Sequence, residues 1–378
     1  MATGSVSCLR TTQQSLSVSA REVTIFPPNE VFTDVMYHYF ELSMFFIFGS
    51  VIAVFGIVSN VINVVVYCRQ GVKDSVTVTF IALSLWDFGN CFTSLLSIIC
   101  FIIESHFPIP TVNFLAIQYV YFGYTRGFTY ILSTIVTMHL SIERCICLIV
   151  PFKVKEVFTK SRSILINAAI VIFSCACFCP AWATQGLQWE FDGRFNNSRL
   201  VLWISINRRD VDVFVDMFNG VVIPTIAQIV ITISAVFMLS AVKTSAKFRL
   251  RSTGMSAVNE GQSGTQVAVD SKTDKKPNTK DKTMSTKDSK LAKVVIMVAV
   301  IFFVCNLPVL IVAVARALVP KLDIGKTYNN LYHVAYILVY DFGLVNSSVN
   351  IIVYYLVSSK FKEVFLSLFT SNRKPCTS

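Results

Sequence analysis

Seven long apolar runs constrain this chain more than any other feature of it. They cover residues 42–67, 76–103, 114–150, 164–183, 211–242, 291–319 and 331–357. A segment crosses the ~30 Å hydrocarbon layer with about 20 apolar residues at 1.5 Å each, and every run is long enough. None alternates apolar and polar residues as a barrel strand does. Only helices and closed barrels satisfy their backbone in lipid, so these runs are helices. Composition agrees: 54% of the residues are hydrophobic and 15% charged, against about 25% charged in a soluble domain. The expected fold is an all-α integral membrane bundle of seven transmembrane helices. Residues 1–40 read as a tail outside the bundle. The polar stretch 243–289, rich in Lys, Ser, Thr and Asp, reads as a disordered loop. Residues 358–370 read as a short amphipathic helix and 371–378 as a terminal tail.

The net charge of +11 is unevenly spread. With the amino terminus outside, most Lys and Arg residues fall on the inner side. Arg69 and Lys73 lie in one short loop, and Arg144, Lys153, Lys155, Lys160 and Arg162 in another. This is the positive-inside pattern, and it explains the basic charge without a nucleic-acid partner. The carboxy terminus is then cytoplasmic. The sequon Asn196-Asn197-Ser198 falls in the outer loop between the fourth and fifth runs, which marks Asn196 as a glycosylation site. Asn346-Ser347-Ser348 also matches but lies inside the seventh run.

Charges inside lipid are expensive and need partners. Asp87 sits near the middle of the second run. It is either a hydrogen-bonded structural carboxylate or a cation or proton site, with Asn60, Ser133, Asn346, Ser347 and Asn350 as candidate partners. Arg144, near the inner end of the third run, can pair with Glu143 or with Asp288 at the start of the sixth. Arg126 lies 18 residues earlier on the same helix, hence ~27 Å away, toward the outer mouth. It can take a ligand carboxylate or pair with Asp341 of the seventh run. Pro224 and Pro308 interrupt the fifth and sixth runs and permit kinks. The four histidines are scattered and form no recognisable nucleophile or metal motif, so nothing supports an enzyme. A transporter or channel using the intramembrane charges is the alternative to a receptor.

Several motifs, in order and on the right runs, resemble those of the rhodopsin-like, or class A, G-protein-coupled receptors. They are Gly56-x-x-Ser59-Asn60, Ala82-Leu83-Ser84-Leu85-Trp86-Asp87, and Glu143-Arg144-Cys145 followed by Pro151. Pro224, Phe302-x-x-Cys305-Asn306-Leu307-Pro308, Asn346-Ser347-Ser348-Val349-Asn350-Ile351-Ile352-Val353-Tyr354 and Ser358–Phe365 complete the set. The resemblance implies a plasma-membrane receptor whose ligand enters the outer half of the bundle, near Arg126, Asn306, Tyr340 and Asp341. Outward movement of the sixth helix would then engage a heterotrimeric G protein through Glu143, Arg144, Asp288, Asn350 and Tyr354. It also implies an allosteric sodium ion on Asp87, Ser133, Asn346, Ser347 and Asn350, and regulation by receptor kinases and arrestin. No other cofactor is expected. Retinal needs a lysine in the seventh run, and 331–357 contains none.

The departures are specific. Ile351 replaces the seventh-span proline, Asn306 the sixth-span tryptophan, and Thr232 a common fifth-span tyrosine. Tyr119 stands where the outer cysteine of the third span is usual. The outer loop 184–210 contains no cysteine, so the usual disulfide is absent. Such divergence resembles the chemosensory or peptide-type receptors of invertebrates. An aspartate at the Arg126 position serves amine ligands, so a simple amine is disfavoured here and an acidic small molecule or a peptide carboxylate is favoured.

Overall fold

The computed structural model describes residues 32–149, 158–260, 286–323 and 325–370, with side chains for all of these except 245–260 and 286–288. Seven of its helices are long and apolar enough to cross a membrane: Asp34–Gln70, Ser75–His106, Phe114–Ile149, Lys160–Ala183, Arg208–Thr244, Ser289–Leu318 and Asn329–Val357. They are called the first to seventh spans below. A further helix, Ser359–Thr370, follows the seventh. It buries Phe361 among Tyr67 and Tyr354 and exposes Lys360 and Lys362, the amphipathic pattern of a helix at a lipid surface.

Local signals set several starts. Thr33, Asp74 and Thr159 each stand just before a span, and their side-chain oxygens accept a backbone N–H of the first turn, as capping requires. The first span therefore begins at Asp34, inside the stretch read as a tail. Asn330 of the seventh span holds it there, donating to Asp34 (2.7 Å) and to the carbonyl of Phe32 (3.0 Å). The fifth span also exceeds expectation. Its helix runs on to Glu260, into the stretch read as disordered. Adding a residue to an existing helix is far easier than nucleating one, and no proline occurs between Thr225 and Glu260. Residues 261–285 of that loop, the tail 371–378 and Pro151 lie outside the described residues.

Burial fixes the arrangement. The best apolar window of the third span is 56% buried, that of the fourth only 22%. The third is the central post and the fourth lies at the rim, presenting Leu165 and Ile172 outward. Lipid supplies no hydrophobic drive between helices, so close packing and polar contacts must hold them. Gly56 shows the first: a β-carbon there would lie 2.4 Å from both Cys91 Sγ and Ser348 Oγ. The second appears in a belt of buried polar residues, among them Asn60, Asp87, Asn90, Ser133, Ser347 and Asn350. On one side of the belt lies an apolar layer around Tyr67, Phe80, Leu140 and Val298. On the other lies a layer around Tyr119, Tyr124, Ile131 and Phe178.

The seventh span breaks at Val349 although Ile351 replaces the proline. Ile352 N–H turns to the carbonyl of Val349 (3.0 Å) rather than continuing the helix. The carbonyls of Ser347 and Ser348 instead accept from Asn60 Nδ2 (2.8 Å) and Ser59 Oγ (3.1 Å) of the first span. Side chains from a neighbouring helix thus supply what the break removes, a known route in membranes.

The loop between the fourth and fifth spans is an antiparallel hairpin, which no motif foretold. Strand β1, Gln185–Asp192, pairs with β2, Asn197–Ile204, from Gln185↔Ile204 to Asp192↔Asn197. Asn196 takes φ +45° in the connecting turn, a conformation that asparagine tolerates better than most residues. Leu200 bonds in turn to Thr111 and Asn113 of the loop between the second and third spans. This side of the bundle is called the hairpin end, and the side bearing Arg144 the basic end.

Candidate functional site

At the hairpin end a cleft lies between the third, fourth, fifth and sixth spans. Its wall is mostly apolar, from Ile131, Phe178, Val215 and Val309, with Tyr124, Arg126, Tyr130, Asp216 and Asn219 as its polar members. π-helical turns flank it on both sides, at Gln118–Gly123 of the third span and Phe218–Val222 of the fifth. Such a turn inserts one extra residue and re-aims the side chains after it, and it often marks a functional site. In the fifth span it carries Asn219 and Gly220 just ahead of Pro224, which also lines the cleft.

Two polar groups in this cleft need a partner. The Arg126 guanidinium lies 4.6 Å over the Tyr340 ring, and no carboxylate pairs with it among the described residues. Asn219 is 4% exposed, and neither its amide nitrogen nor its amide oxygen has a hydrogen-bond partner among them. A buried polar group left so costs about 1–3 kcal/mol. An anion with a further donor or acceptor would meet both needs.

Of the two partners open to Arg126, Asp341 does not pair with it. Asp341 points to the first span, 3.3 Å from where a β-carbon on Gly49 would sit. Its two carboxylate oxygens are buried without a hydrogen bond among the described residues. Adjacent residues on a helix point about 100° apart, so Tyr340 can face Arg126 only if Asp341 does not. Tyr340 also donates to the carbonyl of Ser94 (3.1 Å). Asn306 reaches the site through Tyr130, whose hydroxyl donates to its Oδ1. Asn306 Nδ2 donates in turn to the carbonyl of Phe302 (2.8 Å).

In the central belt, Asp87 Oδ1 accepts from Ser133 Oγ (2.6 Å) and Oδ2 from Asn350 Nδ2 (2.8 Å). Ser347 Oγ accepts from Asn90 Nδ2 (3.0 Å). Two of the residues expected around Asp87, Ser133 and Asn350, thus bond it directly, and Ser347 of the same buried belt is held by Asn90. Asn346 is buried, but no hydrogen bond joins it to the cluster among the described residues. At the basic end Arg144 pairs with Glu143 at 2.7 Å. The side chain of Asp288 lies outside the described ones. Tyr354 is buried between Tyr67, Phe80 and Phe361. Pro308 sits within a helix that continues through it, as does Pro180 of the fourth span.

The base of the hairpin is fastened without sulfur. Arg208, at the start of the fifth span, is 1% exposed and pairs with Asp212 at 2.7 Å. It donates to Tyr119 Oη (2.9 Å), to Thr184 Oγ1 (3.0 Å) and to the carbonyl of Ala181, while Tyr124 Oη donates to Asp212 (2.6 Å). Arg199 of β2 pairs with Glu104 of the second span at 2.6 Å. At the hairpin tip Arg194 binds the Asp192 carboxylate (2.6 Å), which holds that carboxyl below its ordinary range and pushes Arg194 up. All nine described cysteines are free thiols.

Sequence reasoning missed Asn219, Tyr130 and Arg208. The signals existed: Asn219 is a polar residue within an apolar run, and Tyr130 follows Arg126 by four, on one helix face. No curated protein matches the chain. Over residues 59–354 it matches the family model described as 7 transmembrane receptor (rhodopsin family).

Proposed function

Because the chain belongs to the rhodopsin family of seven-transmembrane receptors, which are signalling receptors and not enzymes, we propose that it binds an extracellular anionic ligand at Arg126. The observation that supports this reading is the pairing of an uncompensated guanidinium with an orphaned buried amide, Asn219, in one cleft. A guanidinium offers a planar fork matched to a carboxylate. The amino terminus and the hairpin face outward, Asn196 at the hairpin tip carries a glycan, and the basic end meets a heterotrimeric G protein in the cytosol. Ligand at Arg126 touches Tyr130, and through it Asn306 and the sixth span. Movement of that span frees Arg144 from Glu143, or from Asp288, for the G protein, with Asn350 and Tyr354 repacking. Receptor kinases and arrestin act on the same face. The test is a panel of small carboxylates on cells carrying the receptor and a promiscuous G protein, read by calcium. Arg126→Ala is expected to abolish the response at unchanged surface expression. A full response from that variant removes Arg126 from the site. Ion flux through vesicles containing only this protein would favour a transporter or channel instead.

The Asp87 cluster fits a sodium ion by its chemistry. One carboxylate and the hydroxyls of Ser133 and Ser347 are hard oxygen donors, which suit hard cations, and a bound ion there would favour whichever conformation holds it more tightly. Asp87→Asn is expected to remove the difference in thermal stability between sodium and potassium buffers. An unchanged difference excludes the site.

A further inference from the structure

A second cleft lies between the fifth, sixth and seventh spans. Asp216, Gly220 and Val309 line both clefts, so these three residues form the boundary between them. Gly220 has no side chain to fill the junction. The second cleft differs in kind from the first. Beyond the junction its wall is aliphatic, from Met217, Val221, Val312, Ala313 and Val339. The polar residues at its far edge are engaged with each other. Arg316 donates to Tyr336 Oη (2.8 Å) and pairs with Asp323 at 3.0 Å. Met217 is 57% exposed, so the cleft reaches the membrane-facing side of the bundle.

We infer that the ligand is an anionic amphiphile, with an oxyanion held at Arg126 and an unbranched apolar chain passing Gly220 into the second cleft. The inference rests on the Arg126 reading and adds the chemical class of the ligand. Charge decides which end lies where. The Arg126 guanidinium has no carboxylate partner among the described residues and lines only the first cleft, so the head belongs there. Arg316 already has a carboxylate, so the far end of the ligand carries no second anion. The aliphatic wall between these points takes a hydrocarbon chain, and Gly220 admits a narrow one. Burying a methylene is worth about a fourfold gain in affinity when the chain comes from water.

The probes are acetate, butanoate, hexanoate and octanoate, with octanol as the same tail without the charge. The readout is thermal stabilisation of the full chain in lipid nanodiscs. The concentration for half-maximal stabilisation is expected to fall up to about fourfold per added methylene. Octanol is expected to give none of this gain, and Arg126→Ala to remove it for every acid. Ala313→Phe, which fills the second cleft, is expected to flatten the dependence on chain length. Acids that all stabilise through Arg126 with equal potency would overturn the amphiphile and leave the anion site standing. No stabilisation by any acid would overturn both. Octanol matching octanoate would show partition into lipid and also overturn the inference. The wild-type length series decides the matter even where a variant does not fold.

Discussion

The hydroxyl of Tyr130 on the third span donates to Oδ1 of Asn306 on the sixth, at the position where the resemblance leads one to expect tryptophan. Both side chains are buried, and Tyr130 also lines the Arg126 cleft. A polar link thus stands where an aromatic contact is usual, and it joins the cleft to the span expected to move. Hydrogen bonds between membrane helices average about 0.6 kcal/mol in double-mutant cycles, with a maximum near 1.7. A thermal-unfolding cycle of Tyr130→Phe and Asn306→Leu is expected to return a coupling in that range. A coupling of zero within error would show the two residues to be independent. If the link also restrains the sixth span, Tyr130→Phe raises agonist-free signalling at matched surface expression.

How much of this was readable beforehand depended on what carried the information. The seven spans were legible because each is a long local pattern, and the third, Phe114–Ile149, agrees with its expected bounds within a residue. Asp87 and its partners Ser133 and Asn350 were legible because a charge in lipid demands polar neighbours, and few exist. The partner of Arg126, a ligand carboxylate or Asp341, stayed open in the sequence because both Arg126 and Asp341 have the right chemistry at the right depth. Helical phase settles the matter, and phase between helices is a tertiary property. The hairpin was overlooked although half of it was legible. The β1 sequence alternates, Leu187-Gln188-Trp189-Glu190-Phe191-Asp192, but β2 runs Leu200-Val201-Leu202-Trp203-Ile204 without a polar break. Burial does not follow the alternation, since Trp189, Glu190 and Phe191 are all exposed while Val201 and Leu202 are both buried. Arg208 reads as an ordinary loop-end arginine until Tyr119, Tyr124 and Asp212 are brought around it.

That Arg208 cluster stands at the place of the missing disulfide. Removing the guanidinium leaves a buried Asp212 without its counter-charge, at a cost of about 3–5 kcal/mol for a broken buried pair. Arg208→Met is expected to lower the melting temperature by several degrees and to weaken ligand response through the displaced hairpin. Because no sulfur is involved, a thiol reductant is expected to leave the melting temperature of the parent unchanged. A large drop on reduction would show that some covalent tie holds this end of the bundle.

Gly56 makes a sharper claim about packing. The α-hydrogen that a methyl would replace faces Cys91 Sγ and Ser348 Oγ, and Ser348 is itself fixed by donation to the carbonyl of Leu344 (2.7 Å). An added methyl has nowhere to go unless the first span moves outward. Overpacking of this kind costs about 1–3 kcal/mol. Gly56→Ala is expected to reduce stability and surface expression, and Cys91→Ala with Ser348→Ala to restore part of both. A stable Gly56→Ala variant would mean that the spans are less tightly apposed than these distances require.

Asp341 gives the prediction with the opposite sign. Its carboxylate is 2% exposed, with neither oxygen hydrogen-bonded among the described residues and Gly49 close against it. Placing an ionised aspartate at the centre of a spanning helix costs about 2.5–3.5 kcal/mol on insertion scales, and a lone carboxyl that stays neutral still forfeits its hydrogen bonds with water. Asparagine has nearly the same shape and carries no charge. Asp341→Asn is therefore expected to keep the fold, raise thermal stability, and leave the Arg126-dependent carboxylate response in place. The comparison separates two roles that look alike in sequence. Were Asp341 the counter-charge of Arg126, the substitution would instead lower stability and alter ligand affinity. A melting temperature that falls, together with a changed carboxylate potency, would show that the two residues meet in the working receptor.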